Sequence, residues 1–300
     1  MGKQSTYIIA EAGVNHNGFL QQGLELIDIA IDAKANAVKF QTFHPSQLKK
    51  FSFTDPLEIQ YSILKRLALS PLQYKKLKDY ASSKNMDFIL TPFDLEGAAF
   101  LIQDLKLSTI HITVPHEPLL LMLARSGCHL ILSSNMDALM EIETALSILA
   151  YGFLHSQGFP SKEALKEVLS REASWDLLKE KVTLLYDTSS PSIPLEEINL
   201  SALRTLHETF PVPVGFSDGS LGIYIPMAAC ALGATMIEKP FTIDKKLPGP
   251  YHKTSLEPHE LKSMVQGIRD IETVIASQQE PIDFLENQKP YGPCTSHSCR

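Results

Sequence analysis

Cysteine and tryptophan are scarce, with four cysteines and one tryptophan in 300 residues. Four scattered thiols exclude a disulfide framework, and a reducing, cytoplasmic compartment is the expectation. Cys294 and Cys299 flank His297, but no second cysteine pair completes a zinc set there. Positive charge is also short. A formal net charge of −7, with no local run of Lys and Arg, excludes a broad nucleic-acid face. Long apolar runs are missing: Ile225 to Ala231 is much shorter than a bilayer span, so no membrane segment is expected. A strand pattern begins at Tyr7, which predicts no signal peptide. No GxGxxG follows that strand, so the dinucleotide version of an open α/β sheet lacks support. Internal repeats and low-complexity tracts are absent.

What is present is alternation. Short β-rich runs occur at Tyr7–Glu11, Ala37–Gln41, Asp87–Thr91, Thr109–Thr113, Leu130–Ser134, Val182–Asp187, Val212–Phe216 and Thr235–Lys239. Most are apolar throughout and end in a polar residue, as parallel strands covered by helices do. Helical patterns lie between them. One spans Leu20–Lys34, with Leu20, Leu24, Ile27 and Ile31 on one face. Another spans Leu72–Lys84, after a Ser70 cap and Pro71 at the first helical position. Others fit Leu95–Leu105, Leu119–Arg125, Ala138–Tyr151, Leu200–Thr209, Leu221–Leu232 and Pro258–Ala276. Strand and crossover repeated this way predict a single (β/α)8 TIM barrel over residues 1–277. An insertion at about 153–181, with extra helical turns around Ser161–Ser170, precedes the sixth strand. Residues 278–300 read as a polar tail.

The active face of such a barrel is the rim formed by the C-terminal ends of the strands. Here the rim collects Glu11, Lys39, Gln41, Thr42, Thr91, His111, Ser133, Asp187, Thr188, Ser189, Ser217, Asp218, Glu238 and Lys239. Several hydroxyls around a lysine form an anion cradle, since phosphate oxygens need many donors and a cation. The same hydroxyls also serve as helix caps, and that alternative stands for each one singly. Lys39 differs. Set in the apolar frame Ala37-Val38-Lys39-Phe40, it needs Glu11, Glu238 or a bound anion as partner.

Several of these segments resemble the sialic acid synthase family. The stretches are Tyr7 to Gly18, Ala37 to Phe43, Thr91 to Asp94, Val212 to Gly222, Ile237 to Lys239, Leu247 to Pro250, and His252-Lys253. They occur in order at the spacing of successive barrel strands, from about residue 5 to about residue 275. The resemblance implies condensation of phosphoenolpyruvate with an N-acetylated hexosamine, usually N-acetylmannosamine, to a nine-carbon sugar acid with loss of phosphate. It also implies a divalent metal, Mn or Mg, that activates the sugar aldehyde, and a possible homodimer. By the same resemblance, Lys39, Thr91 and Ser217 contact phosphoenolpyruvate, and Glu11 faces the reacting groups. Glu11, Asp218 and Glu238 are the candidate catalytic residues. Lys39, Gln41, Thr91, Ser133, Thr188, Ser189, Ser217 and Lys239 are the candidate binding residues.

This chain also departs from the family pattern. His111 stands where the family has a phosphate-binding lysine, and Val114 stands for a serine. Pro191-Ser192 replaces a Tyr-Pro pair, and Tyr251 replaces an acidic residue. The family's two metal imidazoles, one after Ser-Asp and one after Glu-Lys, are replaced by Gly219 and Pro240. Any rebuilt metal site would draw on His16 and His252 first, then on His111 and His116. The family's small C-terminal antifreeze-like domain is not expected. Two readings follow: a divergent condensing enzyme, or a catalytically impaired relative that keeps the barrel to bind a ligand or to assemble with an active paralogue.

Overall fold

The apolar runs form eight strands: β1 (Tyr7–Gly13), β2 (Ala37–Gln41), β3 (Asp87–Thr91), β4 (Thr109–Ile112), β5 (His129–Ser134), β6 (Val182–Thr188), β7 (Val214–Asp218) and β8 (Met236–Pro240). In this computed structural model, which describes residues 5–42, 67–113, 116–134, 139–188 and 193–276, they pair in chain order and close into a parallel barrel. The tail, with Cys294, His297 and Cys299, lies outside the described residues, as do Val114, Ser189 and Pro191-Ser192. The expected (β/α)8 architecture is therefore the observed one.

Alternation along each strand divides the apolar residues into two sets. Ile9, Ala37, Ile89, Ile131, Leu185 and Met236 form a cluster of their own inside the barrel. Ile8, Ala10, Val38, Phe40, Leu90, Leu184 and Phe216 belong to the larger core between barrel and helices. Strand β7 begins later than expected because Pro211 and Pro213 cannot donate to a ladder. Pro213 instead accepts a bond from the Leu184 N–H at 2.9 Å, and the strand runs on through Ser217 and Asp218.

Two glycines mark close approaches. A Cβ on Gly215 would lie 2.7 Å from both the Cβ and the carbonyl oxygen of Met236. Overpacking against rigid backbone costs about 1–3 kcal/mol. We therefore expect Gly215→Ala to lower unfolding free energy by that amount in urea melts, and an unchanged midpoint would contradict the packing. A Cβ on Gly23 would lie 2.9 Å from Leu77 Cδ2, in the helix Pro71–Ser83. Gly23 thus allows that contact, and it turns the buried face of helix Leu20–Asp32 towards Gly23, Leu26, Ile27 and Ala30. Leu20, Leu24 and Ile31 of the predicted stripe are only partly buried.

Other helices follow their local signals. Ser70 caps Pro71–Ser83 in a reciprocal box with Gln73. The predicted helix Leu95–Leu105 instead divides into an α segment, Leu95–Ala99, and a π turn, Phe100–Asp104. The insertion holds more helix than expected: Lys162–Val168 and Glu172–Lys181, both packed on Leu139–Leu154. Ser174 and Trp175 of the second helix donate to the Val168 and Leu169 carbonyls at 2.6 and 2.8 Å, closing the turn between the two. Among the described residues, no helix is long and apolar enough to cross a membrane.

Candidate active site

Two residues beyond each member of the inner apolar cluster, the same parity points into the barrel mouth. On β1, β2, β3, β5, β6 and β8 those positions are Glu11, Lys39, Thr91, Ser133, Asp187 and Glu238. His111 and Ser217 complete the layer from β4 and β7. Lys39 is its centre. Its Nζ donates to Glu238 Oε1 at 2.6 Å and stands 4.0 Å from Glu11 Oε1. Burial disfavours the ammonium, but the Glu238 and Glu11 carboxylates hold its pKa above the ordinary lysine range. Ser217 Oγ donates to the same Glu238 oxygen at 3.1 Å, and Gln41 Nε2 donates to Glu11 Oε1 at 3.4 Å. Glu238 Oε2 is buried with no hydrogen-bond partner among the described residues, so it can accept from a ligand.

Burial pushes the Glu11 carboxyl up to about 7. Lys39 opposes that rise, while Glu238 and Asp187 add to it. A folded pKa above the unfolded 4.5 stabilises the fold below about 4.5, and that contribution is lost as pH rises to about 7. Glu11→Gln fixes the neutral form. The variant should gain on the native chain as pH rises through that window, by up to roughly 3 kcal/mol. Urea melts at about pH 5 and about pH 8 read the difference, and parallel pH profiles would count against it.

A second chain of bonds crosses the layer. His111 Nδ1 lies 2.9 Å from Thr91 Oγ1, and its Nε2 lies 2.6 Å from Ser133 Oγ. Burial and the nearby Lys39 hold this imidazole well below its ordinary pKa, although Asp187 works the other way.

Not every candidate reaches the mouth. Asp218 and Lys239 have the opposite parity to Ser217 and Glu238. They form a fully buried pair of their own at 2.6 Å. Lys239 Nζ also donates to the Ser220 carbonyl, and Asp218 Oδ1 accepts from the Ser220 N–H at 3.0 Å. Their place is the outer wall, clamping the turn around Gly219. Thr188 likewise spends its hydroxyl on the Ser217 carbonyl at 2.9 Å.

The histidines are placed elsewhere as well. His252 is buried with Nδ1 at 2.6 Å from Thr242 Oγ1 and Nε2 at 3.1 Å from Asn17 Oδ1, so both ring nitrogens are engaged. His16 packs against Phe40, on the outer parity of β2, and burial pulls its pKa down to about 4. His116 caps the helix Glu117–Arg125. A tightly held divalent metal does not fit this donor set. Gly219 and Pro240 bring no ligating side-chain atom to the two inward strand ends. Among the described residues, no three His, Cys, Asp or Glu side chains gather to hold an ion.

A closed (β/α)8 barrel that gathers a buried lysine, carboxylates and hydroxyls at its C-terminal mouth has the frame on which barrels of this class carry their functional sites. The chain belongs to the NeuB family, whose match covers residues 26–280. It is 37% identical to N,N'-diacetyllegionaminic acid synthase of Legionella pneumophila, covering 92% of this chain and 75% of that protein. The enzyme of the same name from Campylobacter jejuni is 38% identical, over 90% of this chain and 77% of that protein. Among solved structures, N-acetylneuraminic acid synthetase from Leptospira borgpetersenii superimposes with a TM-score of 0.76 at 32% identity, covering 94% of this chain and 90% of that one.

Proposed function

We propose that the mouth binds phosphoenolpyruvate and condenses it with the open-chain form of an N-acetylated hexosamine, giving a nonulosonic acid and phosphate. The observation that carries this reading is Lys39. It is buried, kept charged by Glu238 and Glu11, and shares one inward layer with Thr91, Ser133 and Ser217. A cation fixed among hydroxyls provides the donors that a phosphate and a carboxylate need. The relatives named for N,N'-diacetyllegionaminic acid favour a product of that class over one made from N-acetylmannosamine.

Isothermal titration with phosphoenolpyruvate, with and without Mn²⁺, tests the binding. We expect saturable binding that does not require the ion; no binding under either condition would refute the reading. Gly219 and Pro240 favour a second reading, a barrel that binds its ligand without turning it over. Phosphate release in the presence of N-acetylated hexosamines, with mass spectrometry of the product, separates the two.

A further inference from the structure

Two hydroxyls of the anion cradle are bridged by a histidine ring. Thr91, His111 and Ser133 are all buried and are joined through the two nitrogens of one ring. A neutral imidazole has one N–H and one bare nitrogen, and a hydroxyl can both give and accept. With the proton on Nε2, the ring donates to Ser133 and accepts from Thr91. The Ser133 hydroxyl hydrogen is then free for a ligand. The charged groups facing the ring are Lys39 on β2 and Asp187 on β6, with Glu11 and Glu238 across the layer. Burial and Lys39 keep the ring uncharged, which suits it to pass a proton on rather than to hold one.

We propose that Ser133, His111 and Thr91 form a proton relay that serves the condensation where a Lewis acid does not fit. The inference rests on the function proposed above. C3 of phosphoenolpyruvate bonds to the aldehyde carbon, and the carbonyl π pair moves onto the aldehyde oxygen. That oxygen takes the Ser133 proton, becoming a hydroxyl. Ser133 is resupplied from His111 Nε2, while Nδ1 takes the Thr91 proton. Thr91 in turn takes a proton from the water that adds to C2 of the former phosphoenolpyruvate. The C2–O bond to phosphate then breaks. The new C2 hydroxyl passes its proton to the departing phosphate, which leaves the ketone as hydrogen phosphate. The ring ends in its other tautomer and resets with solvent after product release.

The test is chemical rescue of His111→Ala. Turnover should fall at least about 100-fold, while phosphoenolpyruvate affinity by calorimetry stays within about threefold, a change under 1 kcal/mol. Added imidazole should restore turnover. Pyrrole, equal in size but without a basic nitrogen, should not, and deuterated solvent should slow both the native and the rescued reactions. Ser133→Ala, which removes one hydroxyl, should lose turnover in the same way and guards against misfolding of the first variant. Rescue by pyrrole as good as by imidazole, or full activity in either variant, would overturn the relay. So would a native chain that binds phosphoenolpyruvate but turns over none of a panel of N-acetylated hexosamines. A native chain that does not bind phosphoenolpyruvate overturns the proposed function itself, and the relay with it.

Discussion

Gly219→His combined with Pro240→His should create a Mn²⁺ site at least about 100-fold tighter than anything the native mouth offers. Pro240 continues the inward parity two residues beyond Glu238, and Gly219 directly follows the end of β7, whose Ser217 pairs with Glu238. Pro240 also pairs with Glu11 on β1, so an imidazole there would stand beside a carboxylate. The backbone around 219 is held by Lys239, Asp218 and Ser220, and the substitution at 219 leaves that clamp in place. Without imidazoles the mouth has only carboxylates and water to offer, which favour hard ions and bind them weakly. Losing a group that merely orients a metal ligand costs roughly 10–100-fold in affinity, so gaining two imidazoles that bind the ion directly should change it by at least as much. Mn²⁺ titration followed by electron paramagnetic resonance measures the difference directly. The companion expectation is that chelator leaves native turnover unchanged. A native chain that binds Mn²⁺ as tightly as the double variant would mean that its ligands come from other loops.

Lys39→Ala should weaken phosphoenolpyruvate by about 2–5 kcal/mol, the usual consequence of removing one partner from a buried charged contact. That corresponds to a loss from about 30-fold to several thousand-fold. The variant carries a second cost, because Glu238 loses its 2.6 Å cation and stays buried. Breaking such a pair destabilises by about 3–5 kcal/mol. Lys39→Met with Glu238→Gln removes both charges and separates the two effects: stability should largely return, while affinity should not. Unchanged affinity in a folded Lys39→Ala chain would move the anion site away from this layer.

The barrel was legible because each strand is a run of apolar residues stopped by a polar one, and because Ser70-Pro71 is a local helix signal. The site was only half legible. Polar residues at strand ends look alike in one dimension, whichever face they take. Ser217 and Asp218 are neighbours, as are Glu238 and Lys239, yet one of each pair enters the lumen and the other the outer wall. Alternation carries that distinction, but only once the strand limits are known, and the prolines before β7 moved those limits by two residues. The bond from Thr91 to His111 spans 20 positions and that from Lys39 to Glu238 spans 199. Closure of the barrel brings these partners together, and no local pattern announces it. From sequence His111 reads as a replaced lysine or a spare metal ligand, with nothing to show that two hydroxyls take its nitrogens.

The Lys239–Asp218 clamp lies in the wall, one residue out of phase with the lumen. Scaffold and chemistry are therefore written in alternate codons of the same two strands. Residues 219 and 240 can change while 218, 220 and 239 keep the rim in shape. A substitution at 219 or 240 therefore changes what the mouth can hold without changing the wall that shapes it.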